Sequence, residues 1–307
     1  MNEWRPPEPD DILRSAAEQR HFMTGTAIPP LGAGLGYSRA VHDQVLARRA
    51  EIDWLEIAAD QFRPLTSERM AELVVLRQHF VCVPHGRRLA LAGPRSLDER
   101  YLSDVCAVAE AVSAPWLSGG LGRTRDGRPR ARLAPVPRTR QAAAAIARKA
   151  REVQSRAARP FLLEYPSGDP TCARELTEAQ FLCEVLYRSD CWLRLDVNHL
   201  CANSLSLRRD PQEFLDQIPL ERVLQVQMTG ARRVKGVPAR GPDALVPEAV
   251  WELADYVISR ASVRGVLVER ASARPGDVGD LLGDVRRARG ILGPSDEPWS
   301  RRLAARA

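Results

Sequence analysis

Lysine is almost missing from this chain of 307 residues: Lys149 and Lys235 stand alone among 45 basic side chains. The net charge of +6 is therefore an arginine charge. A GC-rich coding bias accounts for it as well as a polyanionic partner does, so a binding surface requires the charge to cluster on one face. Aromatic residues are scarce, at 6%, and are not interleaved with the basic runs, which argues against the stacking platforms of nucleic-acid binding. There is no CxxC pair. Cys82, Cys106, Cys172, Cys183, Cys191 and Cys201 are dispersed, several inside apolar runs, so reduced, buried thiols in a reducing compartment are expected. The opening Met-Asn-Glu-Trp-Arg-Pro-Pro lacks an apolar secretion core. No stretch approaches the roughly 20 apolar residues of a membrane span, and a soluble, cytoplasmic protein without a membrane partner is expected. A GxGxxG turn followed by an acidic residue is also lacking; Gly32, Gly34 and Gly36 are spaced otherwise and are expected to serve close packing.

What is present is ordinary globular usage, 44% hydrophobic and 27% charged, arranged in a regular rhythm. Short apolar runs fall at 31–37, 52–58, 80–85, 114–119, 160–165, 192–197, 223–229 and 265–270. Helical patterns fall near 40–50, 67–78, 97–112, 139–157, 177–187, 210–218, 247–260 and 276–290. Strands alternating with helices imply a parallel sheet, and eight units favour closure. The expected fold is α/β, a (β/α)8 TIM barrel of one domain over 28–292. It is flanked by a Pro- and charge-rich N-terminal extension at 1–27 and an Arg/Ala-rich C-terminal tail at 293–307.

In such a barrel chemistry gathers at the C-terminal ends of the strands. Those ends carry Glu56, His85, Glu164, Asp196 with Asn198 and His199 just beyond, Gln227, and Glu269. Any one of these has a bland explanation, such as a surface ion pair or a satisfied core histidine. Together, carboxylates at the ends of several core strands would repel one another and lose hydration unless a cation or charged ligand neutralises them. A divalent ion is the simplest candidate. Glu164, Asp196, Glu269 and Gln227 form an oxygen-rich set suited to magnesium or manganese, and His85 extends it toward iron. Two loops leaving the same face are basic: Arg123, Arg125, Arg128, Arg130 and Arg132 after the fourth strand, and Arg232, Arg233, Lys235 and Arg240 after the seventh. They either steer an acidic peptide or phosphorylated ligand into the mouth or are simply solvated.

The stretches GAGLGYS at 32–38, DWLEIAADQF at 53–62, VPHG at 83–86, FLLEYP at 161–166, TEAQFL at 177–182, LRLDVNHL at 193–200, ERVLQVQMTG at 221–230, PEAVWEL at 247–253 and LVER at 267–270 share an order and spacing with a known family. The chain resembles the multinuclear non-haem iron-dependent oxidases, formerly domain-of-unknown-function family 692, over nearly the whole barrel. That resemblance implies iron ions in the mouth and oxygen-dependent modification of a ribosomally made precursor peptide, often at cysteine and often with a partner protein presenting the peptide. It places His85, Glu164, Asp196, Asn198 and Glu269 at metal-site or near-site positions. The departures are Ser118-Gly119-Gly120 where the family has a histidine, Gln227 and Ala231 where it has histidines, and Arg240-Gly241-Pro242 where an Asp-x-His motif falls. Arg240 would repel a cation.

Three functions are consistent with these residues. The first is a divergent member acting in peptide natural-product maturation, with one metal retained by Glu164, Asp196, Asn198 and Glu269. The metal would be iron, manganese or magnesium, and His85 or His199 would serve as ligand or general base. In it Glu56, Gln227, Arg123, Arg125, Arg232, Arg233 and Arg240 would contact substrate. The second is a metal-free, non-catalytic barrel that binds a precursor peptide or a partner enzyme. The third is a divalent-metal isomerase or epimerase of xylose-isomerase type.

Overall fold

Alternation along short apolar runs gives each strand two buried faces, one toward the helices and one toward the barrel axis. The computed structural model describes residues 28–122, 136–165, 175–234, 237–240, 245–270 and 275–293, with backbone alone for 231–234 and 237–240. Its strands are β1 (Gly32–Gly36), β2 (Trp54–Ala58), β3 (Val81–Gly86), β4 (Leu117–Gly120), β5 (Phe161–Glu164), β6 (Trp192–Asp196), β7 (Val223–Thr229), β8 (Ala231–Val234), β9 (Val237–Arg240) and β10 (Gly265–Glu269). Eight of them, β1 to β7 and β10, form a closed barrel in which every pairing is parallel, shut by β1 against β10. This is the (β/α)8 barrel expected from the sequence.

The helices are α1 (His42–Ala47), α2 (Ser67–His79), α3 (Glu99–Ala111), α4 (Arg140–Ala157), α5 (Glu178–Ser189), α6 (Val197–Leu207), α7 (Pro211–Leu215), α8 (Glu248–Ile258) and α9 (Val278–Leu292). Their starts are written in the sequence. Thr66, Asp98, Thr139 and Thr177 each accept a hydrogen bond from a first-turn amide of α2, α3, α4 and α5, and Thr177 completes a capping box with Gln180. Among the described residues no helix is long and apolar enough to cross a membrane. Cys82, Cys106, Cys183, Cys191 and Cys201 are free thiols, as expected; Cys172 lies outside the described residues.

Three local expectations are corrected. Residues 40–50 form a short helix between two 3-10 turns rather than one helix. The helix expected over 210–218 is only Pro211–Leu215, because α6 already fills the crossover. The basic stretch after the seventh strand contains an antiparallel hairpin, β8 with β9, rather than a simple loop.

The larger apolar cluster lies between strands and helices, while a smaller one fills the barrel floor with Leu31, Trp54, Val81, Val83, Trp116, Leu162, Leu224 and Leu267. Trp54 and Trp116 meet edge to face with centroids 6.4 Å apart. The glycines of β1 make room: a Cβ on Gly34 would stand 2.3 Å from the Trp54 indole, whose Nε1 donates to the Gly32 carbonyl at 3.1 Å. Barrel closure is tied by Asp53. This buried carboxylate accepts from the Ala33 amide at 2.9 Å and from Arg289 Nε and Nη2 on α9 at 3.0 and 2.9 Å. Asp53→Ala orphans that amide, and a loss of about 2–3 kcal/mol is expected in urea unfolding.

Candidate functional site

The polar layer of the barrel begins directly above the tryptophan floor. Gln225 links the two, since its Oε1 accepts from Trp116 Nε1 at 3.0 Å and its Nε2 donates to Glu56 Oε2 at 3.0 Å. The next inward position of β6 is Arg194, whose side chain is 2% exposed. Its Nη2 donates to Glu56 Oε1 at 2.7 Å, and its Nη1 lies 3.0 Å from Glu164 Oε2 and 3.3 Å from His85 Nδ1. His85 Nδ1 also meets Ser118 Oγ at 2.9 Å, and its Nε2 stands 3.3 Å from Glu164 Oε2. A guanidinium only donates, so Nδ1 accepts and the imidazole proton belongs on Nε2, facing Glu164. One arginine thus bridges two carboxylates and an imidazole drawn from β2, β5 and β3.

Charge follows from this packing. Burial alone would lower the Arg194 pKa, but Glu56, Glu164, Glu269 and Asp196 outweigh it and raise the value, so the guanidinium stays charged. Burial pushes the Glu56 carboxyl up from 4.5 to about 7, against the pull of Arg194 and with help from Glu269 and Glu164. Between these two values the folded protein holds a proton on Glu56 that the unfolded chain releases, so this group makes stability fall as pH rises from 4.5 to about 7. The melting difference between parent and Glu56→Gln is expected to favour the parent most at the acid end of that window. A difference that grows toward neutral pH would reverse the sign.

The other half of the mouth is built on β6, β7 and β10. Asp196 ends β6 and caps α6, accepting from the His199 amide at 2.9 Å, with His199 Nδ1 3.3 Å from its second oxygen. Gln227, paired in register with Asp196, donates to Glu269 Oε2 at 2.6 Å. Gly36 leaves the space that Glu269 occupies, since a Cβ there would stand 3.0 Å from Glu269 Cγ. The exposed Arg87 approaches Glu269 Oε1 at 3.7 Å. Asn198 Oδ1, Gln227 Oε1 and Thr229 Oγ1 are buried, with no hydrogen-bond partner among the described residues.

The structure therefore gathers His85, Glu164, Asp196, Asn198, Gln227 and Glu269 at one end of the barrel, with His199 half-exposed beside Asp196. Glu56 sits deeper than its expected place at a strand end: it is the middle residue of β2, sealed beneath the mouth by Arg194 and Gln225. Arg232, Arg233 and Arg240 lie on the β8–β9 hairpin. Arg123, Arg125, Arg128, Arg130, Arg132, Lys235, Gly241 and Pro242 lie outside the described residues. The residue missed by sequence reasoning is Arg194. Its signal was there, because in Leu-Arg-Leu-Asp the arginine falls two positions before Asp196 and shares its inward face.

A parallel eight-stranded barrel with an acidic, arginine-bridged mouth defines a (β/α)8 protein with its candidate site at the C-terminal strand ends. Within that class the chain belongs to the family described as RiPP precursor modification enzyme MbnB/TglH/ChrH, whose model matches residues 32–293; this is the multinuclear iron oxidase family that the sequence resembles. It is 30% identical to a UPF0276 protein of Caulobacter vibrioides over 85% of this chain and 95% of that one. It is 28% identical to a UPF0276 protein of Acinetobacter baylyi over 78% and 84% of the two chains. Among solved structures it resembles a D-tagatose 3-epimerase-like protein, with TM-score 0.55, 15% identity and coverage of 84% and 98%. It also resembles endonuclease IV from Thermus thermophilus, with TM-score 0.55, 17% identity and coverage of 86% and 99%. At such identities these structures establish the fold alone.

The family implies iron, and the side chains present do not fit a multinuclear iron centre. Among the described residues no group of three or more His, Cys, Asp or Glu is arranged to hold a metal ion. The physical reason is Arg194, which places a fixed positive charge between Glu56 and Glu164 and holds His85 in its own hydrogen bond. A metal cation there would face a guanidinium across a low-dielectric gap.

Proposed function

We propose that this protein is a peptide-binding member of the precursor-modification family that works in the maturation of a ribosomally made peptide without the family's iron redox chemistry. The observation that carries this reading is Arg194, a guanidinium seated among the carboxylates that would otherwise serve a metal. Family membership supports the peptide as ligand. The mouth then acts as a preorganised polar cleft, presenting Glu269, Gln227 and Asp196 to the bound chain while the Arg194 network below fixes their surroundings. Partner presentation of the peptide belongs to the same reading.

One observation favours a second reading. The unpartnered oxygens belong to Asn198, two residues after Asp196, and to Gln227 and Thr229 on β7, the strand between those that carry Asp196 and Glu269, an all-oxygen set that suits a single hard cation such as magnesium or manganese. Metal analysis separates the two readings. Protein made in iron- and manganese-supplemented medium and handled without oxygen is expected to carry neither ion stoichiometrically and to consume no oxygen. Deleting the gene is expected to change the intact masses of small peptides made by its host. Stoichiometric metal that is lost in Asp196→Ala with Glu269→Ala would replace the first reading by the second, and unchanged peptide masses would remove the peptide role.

A further inference from the structure

We propose that a groove on the outside of the barrel, walled by the start of α5 and by α6 and α7, is the seat of this chain's own segment 294–307, held there by Trp299, Leu303 and the arginines around them. The segment lies outside the described residues and beyond the family match, which ends at residue 293. The inference therefore concerns this chain rather than its family and stands apart from what the mouth binds.

The groove encloses about 250 Å³, below the roughly 300 Å³ at which small-molecule pockets begin, and so suits the side chains of a protein segment better than a cofactor. Its apolar lining is Leu200 and Leu207 of α6 and Phe214 of α7. Leu207 and Phe214 are only half-buried, so an apolar occupant removes further area from water. Its charged lining is Glu178, Asp210 and Glu213 against Arg209, three acids to one base, in a chain whose formal charge is +6. The Glu178 side chain is 10% exposed; its Oε2 lies 3.4 Å from Arg138 Nη1, while its Oε1 is buried with no hydrogen-bond partner among the described residues. A buried carboxylate oxygen in that state calls for a donor, and a guanidinium supplies several. The segment carries the matching chemistry. Trp-Ser-Arg-Arg-Leu-Ala-Ala-Arg at 299–306 has two large apolar residues, three arginines and no acid. It also has the reach. Helix α9 packs on α8, and α8 packs on α6 and α7, so the groove lies two helix-to-helix steps of about 8–10 Å from α9. Leu303 stands ten residues past Gly293, about 33–36 Å of extended chain. The α6 wall also carries Asn198 and His199, so the seated segment lies against a helix whose first turn borders the mouth.

The test is hydrogen–deuterium exchange of the full chain, read by mass spectrometry over 294–307 and over 200–217. In the parent, the amides of 299–306 are expected to exchange about tenfold more slowly than in a synthetic peptide of residues 294–307. Trp299→Ser with Leu303→Ser is expected to bring 299–306 to the rate of the free peptide and to speed exchange over 200–217 about tenfold. Arg302→Glu with Arg306→Glu is expected to act in the same direction. Glu213→Arg, on the exposed lip of the groove, and Phe214→Ser, in its lining, are expected to speed exchange over 299–306 from the other side of the contact. Exchange of 299–306 in the parent at the free-peptide rate overturns the proposal, as does protection that neither Glu213→Arg nor Phe214→Ser reduces. Protection of 299–306 with 200–217 unmoved in the double serine variant places the segment elsewhere and overturns it too. Protection that is lost on dilution means that a second copy fills the groove, and the assignment to the chain's own segment falls.

Discussion

Arg194→Leu is expected to unfold roughly 10 °C below the parent at neutral pH. The substitution replaces a guanidinium by an apolar side chain and leaves the buried Glu56 and the partly exposed Glu164 without their cation; breaking a buried pair by removing one partner costs about 3–5 kcal/mol. A chain of this size loses about 2–4 °C per kcal/mol. Arg194→Lys keeps the charge but cannot reach both carboxylates with a planar fork, so it falls between the two. Differential scanning calorimetry of the three proteins measures this directly. A leucine variant melting with the parent would mean that the carboxylates are protonated or hydrated in the folded state.

The second large effect lies on the barrel floor. Gly34→Ala places a methyl group 2.3 Å from the Trp54 indole, which is fully buried and hydrogen-bonded to the Gly32 carbonyl. Trp54 also packs on Gly265 and Trp116, so it cannot step aside without moving the floor. Overpacking of this kind costs about 1–3 kcal/mol, occasionally more, and the upper end is expected here. Gly283→Ala is the contrasting case: it lies inside α9, a Cβ there meets nothing within 4 Å, and a gain of up to about 1 kcal/mol is expected from helix propensity. Urea unfolding of both variants checks the pair; a tolerated Gly34→Ala would show that the floor is loosely packed.

Most of the barrel was legible in the sequence because parallel strands buried on both faces leave continuous apolar runs, and Leu162-Leu163 or Val266-Leu267-Val268 can be little else. The mouth was legible for the same reason. In a run such as Phe-Leu-Leu-Glu, a carboxylate closing an apolar strand marks the level where the interior becomes polar. The need for a cation among those carboxylates also followed from their burial, but its identity did not. A metal was the expected cation, and Arg194 is a positive charge that the structure places between Glu56 and Glu164. It escaped notice because attention to strand ends passes over a charge in mid-strand, although the twofold period puts Arg194 and Asp196 on one face. Helix α6 escaped for a different reason. Val197, Leu200, Cys201 and Ser204 carry a helical spacing, yet the helix begins at the residue after β6 ends, and one aspartate both closes the strand and caps the helix. The hairpin β8–β9 is short and rich in arginine, with no apolar alternation to announce it.

Diffraction data collected at the iron absorption edge from crystals grown without oxygen in excess ferrous iron test the central claim most directly. The expected result is no anomalous peak in the barrel mouth and clear guanidinium density between Glu56 and Glu164. An anomalous peak liganded by Glu164, Asp196 or Glu269, with Arg194 turned away from them, would contradict it.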